Sequence, residues 1–353
     1  MKVLLLPTNI SSDISHKVAA LREHGIDARG LVLSSSKIQS DRNVDVLEGS
    51  VGGRFENRRR GISNFLAIWR GMRWADVVHW TCVMGVLPRR LDEFLVKRLN
   101  KPRVVQWYGS DIRDPEIESR RNPFYAQAFA NGYEYDNESS AFSRSTQERF
   151  ANLGFFPIEF RETMHYLRAE LFPVRFVSRQ MVNLADHPVC LPEPSKRKPM
   201  VVHAPSAPVA KGTRFVLDAV QRLKQDVDFD FQLVENMPHE QALGALSRCD
   251  IFIDQLVLGS HGYAAVEAMA FGKPVVCYIN AETGKAYPPE LPIVNANPEN
   301  IEVVLDGLLR DGERRRELGR RSREYVEKFH DGRKVTADLI SIYERVIELH
   351  NEK

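Results

Sequence analysis

The stretch GSHGYAAVEAMAFGKPVV, at positions 259–276, decides the fold of this chain. Its small residues lie between an apolar run that ends at Asp254 and a helical pattern that begins near Tyr263. Backbone N–H groups at the start of such a helix can face an anion. Glu267, one turn into the helix, can accept hydrogen bonds from both hydroxyls of a ribose. The stretch therefore predicts a nucleotide-binding strand–loop–helix unit; the alternative is an ordinary glycine loop with a solvated Glu267.

The same alternation of apolar runs and helical periodicity continues in both directions from this stretch. It is typical of βαβ units with a parallel sheet. In the second half, strands are predicted at 200–203, 229–234, 251–254 and 274–278, and helices at 213–224, 239–247, 264–271, 299–329 and 333–350. In the first half, strands are predicted at 3–6, 28–33, 77–80 and 104–107, and helices at 16–24 and 91–99.

Clustered prolines and charges at positions 192–199 interrupt this alternation, because they cannot continue a buried element. We therefore predict an α/β protein of two Rossmann-like, doubly wound domains that face each other across a cleft. The N-terminal domain covers 1–192 and the C-terminal domain covers 199–330. A C-terminal helix, 331–353, is expected to pack back on the N-terminal domain. The length of 353 residues agrees with two domains.

Composition and charge exclude several classes of protein. Hydrophobic residues make up 43% and charged residues 27%, as in globular proteins. No apolar run approaches the roughly 20 residues of a membrane-spanning helix, and the run at 1–7 is too short for a signal peptide. A net charge of +2 argues against nucleic-acid binding. The four scattered cysteines indicate reduced thiols without metal ligation, so we expect a cytoplasmic protein.

A second loop carries a charge at the start of the helix predicted at 213–224. In HAPSAPVAKGT, positions 203–213, Lys211 precedes Gly212 and the helix. An ammonium group there can offset the charge that develops on a leaving diphosphate. The alternative for Lys211 is a solvated loop residue.

The residues EAMAFGKPVV, 267–276, resemble the donor domain of GT-B glycosyltransferases of the family 4 type (glycosyl transferases group 1). The resemblance covers about residues 200–343. In that family a Glu-x7-Glu element precedes a small-residue helix and a Gly-x-Pro-Val strand. Its second Glu, which holds the ribose, corresponds to Glu267. Its first Glu, which lies near the donor sugar, corresponds to Gly259, so this carboxylate is absent here.

The resemblance implies further residues of the donor-binding domain. Lys211 matches a Lys that approaches the diphosphate, whereas Ser206 stands where the family often has Arg, whose charge Arg214 or the other domain would supply. Lys211 and His261 are predicted to be catalytic; the alternative for a lone loop His is solvent exposure. The predicted donor-binding residues are Glu267, Ser260, Gly262, Tyr263, Ser206, Lys211, Gly212, Glu235 and Arg113.

In the first half, VVQWYGSDIR at 104–113 resembles the strand and the His-Gly-x-Asp segment at the cleft of this family. Tyr108 stands where His is common, and Gly109 lets the backbone turn tightly. Asp111 is the third predicted catalytic residue, near the acceptor or organising the loop; its alternative is an N-cap or an ion pair. Arg113 is expected near phosphate. The predicted acceptor-side residues are Asn9, Ser11, Tyr108 and Gly109.

An arginine-rich segment with Arg54, Arg58, Arg59 and Arg60 precedes the aromatic, amphipathic stretch 65–74. Such a helix can rest on anionic lipid, which predicts peripheral contact with the inner face of a membrane. The alternative is a helix that packs its apolar face on the sheet and leaves a solvated basic flank.

Residues and resemblance together predict a retaining, metal-independent glycosyltransferase of the hexosyltransferase type that requires no cofactor. It would move a sugar from a nucleoside-diphosphate sugar to a glycan or lipid-linked acceptor, as in polysaccharide biosynthesis. The segment 226–230 resembles a calcium loop but lacks its Gly and later Glu, so no metal site is predicted. The alternatives are a non-catalytic nucleotide-sugar-binding partner and a nucleotide-sugar 2-epimerase, which needs acid and base carboxylates.

Overall fold

The structure, a computed structural model, describes residues 1–33, 39–47, 54–135 and 138–352, apart from the side chains of 54–58. These residues form two compact units. Unit 1 consists of Met1–Arg113, Glu138–Arg179 and Arg333–Lys353, and unit 2 consists of Asp114–Asn137 and Gln180–Gly332.

Strands alternate with helices along the described chain. The strands are β1 (Lys2–Leu6), β2 (Asp27–Val32), β3 (Val44–Val46), β4 (Val77–Thr81), β5 (Arg103–Gln106), β6 (Phe156–Phe160), β7 (Phe176–Ser178), β8 (Met200–His203), β9 (Asp230–Leu233), β10 (Ile251–Ile253), β11 (Val275–Cys277) and β12 (Val294–Asn295). The helices are α1 (Asp13–Glu23), α2 (Arg54–Trp74), α3 (Leu91–Leu99), α4 (Pro115–Arg121), α5 (Pro123–Ala130), α6 (Ser140–Asn152), α7 (Pro208–Lys211), α8 (Thr213–Leu223), α9 (His239–Arg248), α10 (Tyr263–Ala270), α11 (Ala281–Gly284), α12 (Ile301–Arg310), α13 (Gly312–Phe329) and α14 (Gly332–Asn351).

Unit 1 contains a seven-stranded sheet in the order β3-β2-β1-β4-β5-β6-β7, with every pair parallel. Residues 3–6 of β1 and all of β4 are buried. Central strands of parallel sheets are covered on both faces, which explains why β1 appears in the sequence as an unbroken apolar run.

Unit 2 contains a five-stranded parallel sheet in the order β12-β11-β10-β8-β9. Successive residues of a strand point to opposite faces. Accordingly, Ile251 and Ile253 pack with Val216 of α8 and Leu305 of α12, whereas Phe252 packs with Met269 of α10 on the other face. The sheet is therefore covered by helices on both sides.

Each sheet has a point where the order of the strands reverses. In unit 1 it lies between β1 and β4, and in unit 2 between β8 and β10. Ligands of doubly wound sheets bind beyond the carboxyl ends of the strands at such points. The fold class predicted from the sequence, two doubly wound Rossmann-like sheets, is thus confirmed for the described residues.

Two features differ from the sequence-based expectation. The helix expected over 299–329 is two helices, because Asp311 interrupts it and its Oδ1 accepts the N–H of Arg314 at 2.9 Å as the N-cap of α13. The expected boundary at 192–199 also differs from the observed division. Residues 114–137 and 180–192 belong to unit 2, and the C-terminal residues 333–353 belong to unit 1.

Candidate functional site

Two loops meet at the strand-order reversal of unit 2, one after β8 and one after β10. Asp254, only 2% exposed, joins them. Its Oδ1 lies 3.2 Å from Nζ of Lys211, and its Oδ2 accepts the N–H of Gly262 at 2.5 Å. Gly262 is the N-cap of α10, and a Cβ at this position would lie 2.9 Å from Nζ of Lys211. The ammonium group therefore lies against the N-terminus of α10, where the helix dipole is also positive.

The side chain of His203, the last residue of β8, connects β8 to β10. Its Nδ1 contacts the carbonyl oxygen of Ile253 at 2.8 Å, and its Nε2 contacts the hydroxyl of Thr213 at 3.0 Å. Burial, helped by the charge of Lys211, lowers the pKa of His203 to about 4. This imidazole is therefore neutral at neutral pH and holds β8, β10 and the start of α8 together.

His261, which precedes Gly262, is 4% exposed, so the alternative of a solvent-exposed loop His does not describe it. Its ring stacks on that of Tyr287 with centroids 4.8 Å apart, and the ring of His330 lies at 6.1 Å. Within the described part of the chain, its Nε2 is buried without a hydrogen-bond partner. Burying a nitrogen without a hydrogen-bond partner costs free energy. At the N-terminus of α10, this nitrogen is placed to form a hydrogen bond with a ligand.

Hydrogen bonds hold the residues on either side of His261 and Gly262 in place. The carbonyl oxygen of Ser260 accepts a hydrogen bond from the side-chain amide of Gln255. The hydroxyl of Tyr263 donates to the carbonyl of Met181 at 2.6 Å and accepts the N–H of the same residue at 3.2 Å. The side chain of Tyr263 therefore fixes the start of α10 to the segment that precedes β8.

Glu267 is 6% exposed, which excludes the alternative of a solvated helix residue. Its Oε1 lies 2.7 Å from Nε2 of His239, the first residue of α9. Burial disfavours the imidazolium, but the hydrogen bond and the charge of Glu267, with that of Glu240, outweigh it and raise the pKa of His239. Sequence reasoning did not find His239, because 28 residues separate it from its partner.

Gly259, where the family has its first Glu, adopts a left-handed backbone with φ of +76°. A Cβ there would lie 2.6 Å from Nδ2 of Asn280 and 2.8 Å from Nδ2 of Asn122. Both the backbone conformation and the packing therefore require glycine. The missing carboxylate is a consequence of how this loop is built.

Other predicted donor-binding residues of unit 2 lie around the start of α8 and after β9. Ser206 and Arg214 are exposed, and Gly212 has a φ of +75°. Gly212 and Glu235, which follows β9, line a cavity of about 520 Å³. Its walls are mostly apolar and include Phe124, Val209, Phe215, Leu217, Leu233 and Val257.

In unit 1, Asp111 closes the turn that follows β5. Its Oδ1 accepts the N–H groups of Tyr108 and Gly109, each at 2.9 Å. Burial raises the pKa of Asp111, although these hydrogen bonds oppose the shift. Arg113 pairs with the buried Glu138, Nη1 to Oε1, at 2.5 Å. The structure thus gives Asp111 a loop-organising position and gives Arg113 a carboxylate partner.

The loop after β1 is also tied to the fold. Oδ1 of Asn9 accepts the N–H of Ile14 at 3.0 Å, which caps α1, and Ser11 has a φ of +49°. The hydroxyl of Tyr108 donates to Asp13 on α1, and Asp13 also pairs with Lys17. The buried pair of Asp13 and Lys17 was not recognised in the sequence, although its i, i+4 spacing on a helix was a signal.

The basic amphipathic stretch forms α2. Ile68 and Met72 are buried, whereas Ile62 is 55% exposed. The side chains of Arg54 and Arg58 lie outside the described residues, and Arg59 is exposed. One face of α2 therefore packs on unit 1, as the alternative reading expects, and Ile62 and Leu66 remain as exposed apolar residues.

Three properties of the described residues bear on the class of protein. Groups of three or more His, Cys, Asp or Glu with the geometry of a metal site are absent from the described ranges. No described helix combines the length and apolarity needed to cross a bilayer. The four cysteines are free thiols, and three of them are buried.

Comparison with known proteins gives matches in structure alone. No model of a protein family matches the sequence, and no curated protein sequence matches it. Sucrose-phosphate synthase from Thermosynechococcus elongatus is similar over 99% of this chain and 100% of its own, with a TM-score of 0.62 and 12% identity. WaaG, a glycosyltransferase involved in lipopolysaccharide biosynthesis, is similar over 97% and 99%, with a TM-score of 0.60 and 11% identity.

A structure from Listeria monocytogenes, described as a UDP-N-acetylglucosamine 2-epimerase, is similar over 98% of this chain and 96% of its own. Its TM-score is 0.56 and its identity is 11%. At such identities the matches establish the fold. The two sheets and the full coverage show that this chain has the GT-B fold of glycosyltransferases.

Proposed function

We propose that this protein is a retaining glycosyltransferase of the family 4 type that transfers a sugar from a nucleoside-diphosphate sugar. The observation that carries the proposal is the arrangement of Lys211, Asp254 and Gly262 at the N-terminus of α10. A cation and a helix N-terminus converge there, at the strand-order reversal where nucleotides bind in this kind of sheet. Two structures of the same fold are described as a sucrose-phosphate synthase and as a glycosyltransferase of lipopolysaccharide biosynthesis, which agrees with such a donor.

The diphosphate is proposed to lie between Lys211 and the N–H groups that open α10. During transfer, the bond between the anomeric carbon and the diphosphate oxygen breaks, and the acceptor oxygen bonds to that carbon from the same face. The acceptor proton passes to the departing diphosphate. Lys211 and the unpartnered Nε2 of His261 then stabilise the charge on the leaving group. This route requires no metal ion.

The nucleoside is proposed to extend from this point towards α9. Glu267 would accept hydrogen bonds from the ribose hydroxyls while His239 holds its carboxylate in place. Glu235 follows β9 at the edge of the sheet, where the base would lie. In unit 1, the loop closed by Asp111 is proposed to receive the glycan or lipid-linked acceptor, with Ile62 of α2 available for peripheral membrane contact.

The test is calorimetric titration of the purified protein with a panel of nucleoside diphosphates and their sugars. We expect one nucleoside diphosphate to bind, and Lys211→Ala to weaken it at least about tenfold through loss of a charge-assisted contact. Lys224→Ala is the matched control, since Lys224 is exposed at the other end of α8. Equal affinities of both variants and the wild type would refute the role of Lys211.

Two other functions are separated by a product assay. Conversion of the donor sugar without acceptor would favour a 2-epimerase, an activity that one relative of the same fold is described as having. Binding of the donor without hydrolysis, transfer or epimerisation would favour a non-catalytic nucleotide-sugar-binding partner. Transfer to an added acceptor with retained configuration supports the proposal.

A further inference from the structure

A buried carboxylate lies next to Gly259, on a part of the chain far from it in sequence. Glu118, on α4, is 2% exposed. Its Oε1 accepts the side-chain amides of Asn122 at 3.2 Å and of Asn280 at 3.4 Å. These are the two amide nitrogens that a Cβ at Gly259 would meet. The two asparagines therefore occupy the space that a side chain at position 259 would need, and Glu118 lies behind them as their shared acceptor.

Both asparagines also hold the loop itself. Nδ2 of Asn122 donates to the carbonyl oxygen of Val257 at 2.8 Å. The backbone N–H of Asn280 donates to the carbonyl oxygen of Gly259 at 3.0 Å, and its Oδ1 caps α11 by accepting the N–H of Thr283 at 2.7 Å. Glu118 is thus the shared acceptor for the side-chain amides of two asparagines. Asn122 holds Val257 through the same amide, and Asn280 holds Gly259 through its backbone N–H.

We propose that Glu118 is a positioning residue for the sugar end of the donor site, acting through Asn122 and Asn280. The inference rests on the proposed function. The segment 257–259 leads directly into Ser260 and His261, which the proposed function places beside the sugar. The diphosphate is held by Lys211 and by the N–H groups that open α10. The ribose end, at Glu267, is held separately by His239. Loss of the Glu118 charge therefore affects the sugar end and spares the nucleotide end.

Two variants and one control test this. Glu118→Gln keeps the shape and removes the charge. Asn280→Ser keeps an N-cap residue for α11 and removes the amide that reaches Glu118. Glu116→Gln, on the exposed face of α4, is the matched control. Thermal unfolding establishes that each variant is folded.

The first measurement is amide hydrogen exchange without ligand. We expect faster exchange at 257–262 in Glu118→Gln and Asn280→Ser, and an unchanged rate in Glu116→Gln. The second is the affinity for a nucleoside diphosphate and for its sugar, by titration. Affinity for the sugar nucleotide should fall about five- to tenfold, as expected for a lost charged hydrogen bond, and that for the diphosphate less than about twofold.

Equal losses for both ligands, or unchanged exchange at 257–262, would overturn the role of Glu118. A wild-type protein that binds no member of the nucleotide panel would instead refute the proposed function. The same titration therefore distinguishes the two failures.

Discussion

The pairing of Lys211 with Asp254 makes a quantitative prediction about stability and binding together. The two charges are 3.2 Å apart, and their side chains are 13% and 2% exposed. At an effective dielectric constant near 20, the attraction at this distance is about 5 kcal/mol. Desolvation of both groups offsets part of it. Lys211→Met leaves Asp254 buried with the Gly262 N–H as its remaining close donor, so we expect a loss of about 3 kcal/mol in unfolding free energy.

Asp254→Asn should cost less, about 2 kcal/mol, because an amide oxygen can still accept the Gly262 N–H and Lys211 can turn towards water. The double variant removes both charges, so its loss of unfolding free energy should be close to that of Lys211→Met alone. The coupling energy is then about 2 kcal/mol. Nucleoside-diphosphate binding should be as weak in the double variant as in Lys211→Met, because both lack the cation.

The assay is urea unfolding of the four proteins, followed by far-UV circular dichroism and by tryptophan fluorescence. All tryptophans lie in unit 1, so fluorescence serves as an internal control for changes confined to unit 2. Additive losses in the double variant would refute the pairing. Wild-type nucleotide affinity in the double variant would refute the role of Lys211 as the diphosphate cation.

Three further predictions concern the stability contributed by single residues. Gly259→Ala should destabilise the protein by about 2 to 4 kcal/mol, through left-handed strain and the contact with Asn280, as measured by urea unfolding. Because the pKa of His203 is about 4 when folded and near 6.5 when unfolded, its contribution of about 3 kcal/mol is present above pH 6.5 and is lost towards pH 4. A wild-type pH profile that matches that of His203→Gln would contradict this. The pKa of His239 is raised instead, so the pair with Glu267 stabilises by about 1 to 2 kcal/mol below pH 6.5 and fades as pH rises through the folded value. The difference in unfolding free energy between wild type and His239→Gln should therefore be smaller at pH 9 than at pH 6.

Local elements could be predicted from the sequence because their signals are local. The bounds expected for α3 and β8 are those observed, since apolar period and flanking turn residues define both. The segment 114–137 could not be placed in the same way. Asn122 makes its contact with Val257 across 135 residues, and no periodicity within α4 or α5 reveals such a partner. Two doubly wound domains could therefore be predicted from the sequence, whereas the assignment of residues 114–137 to unit 2 could not.

The candidate site shows the same difference between local signals and contacts that only the fold creates. The sequence shows that a Glu is missing at Gly259, because that is a property of one position. The reason for it depends on Asn122 and Asn280, which only the fold brings together. Likewise Glu267 could be proposed as a site residue from its place in a helix, whereas its buried partner, His239, could not. Sequence patterns indicate candidate groups one position at a time, whereas the groups that hold them depend on the fold.

The hydrogen bonds of Asp111 and Asp254 bear on which group can accept a proton in the proposed reaction. Asp111 was predicted to be catalytic, but its carboxylate accepts the N–H groups of Tyr108 and Gly109, so use as a base would compete with the closure of its own loop. Asp254 likewise accepts Lys211 and Gly262. Carboxylates committed to donors in this way organise a site and do not carry protons through it. In the proposed transfer, the proton of the acceptor therefore passes to the departing diphosphate, because neither of these carboxylates is placed to accept it.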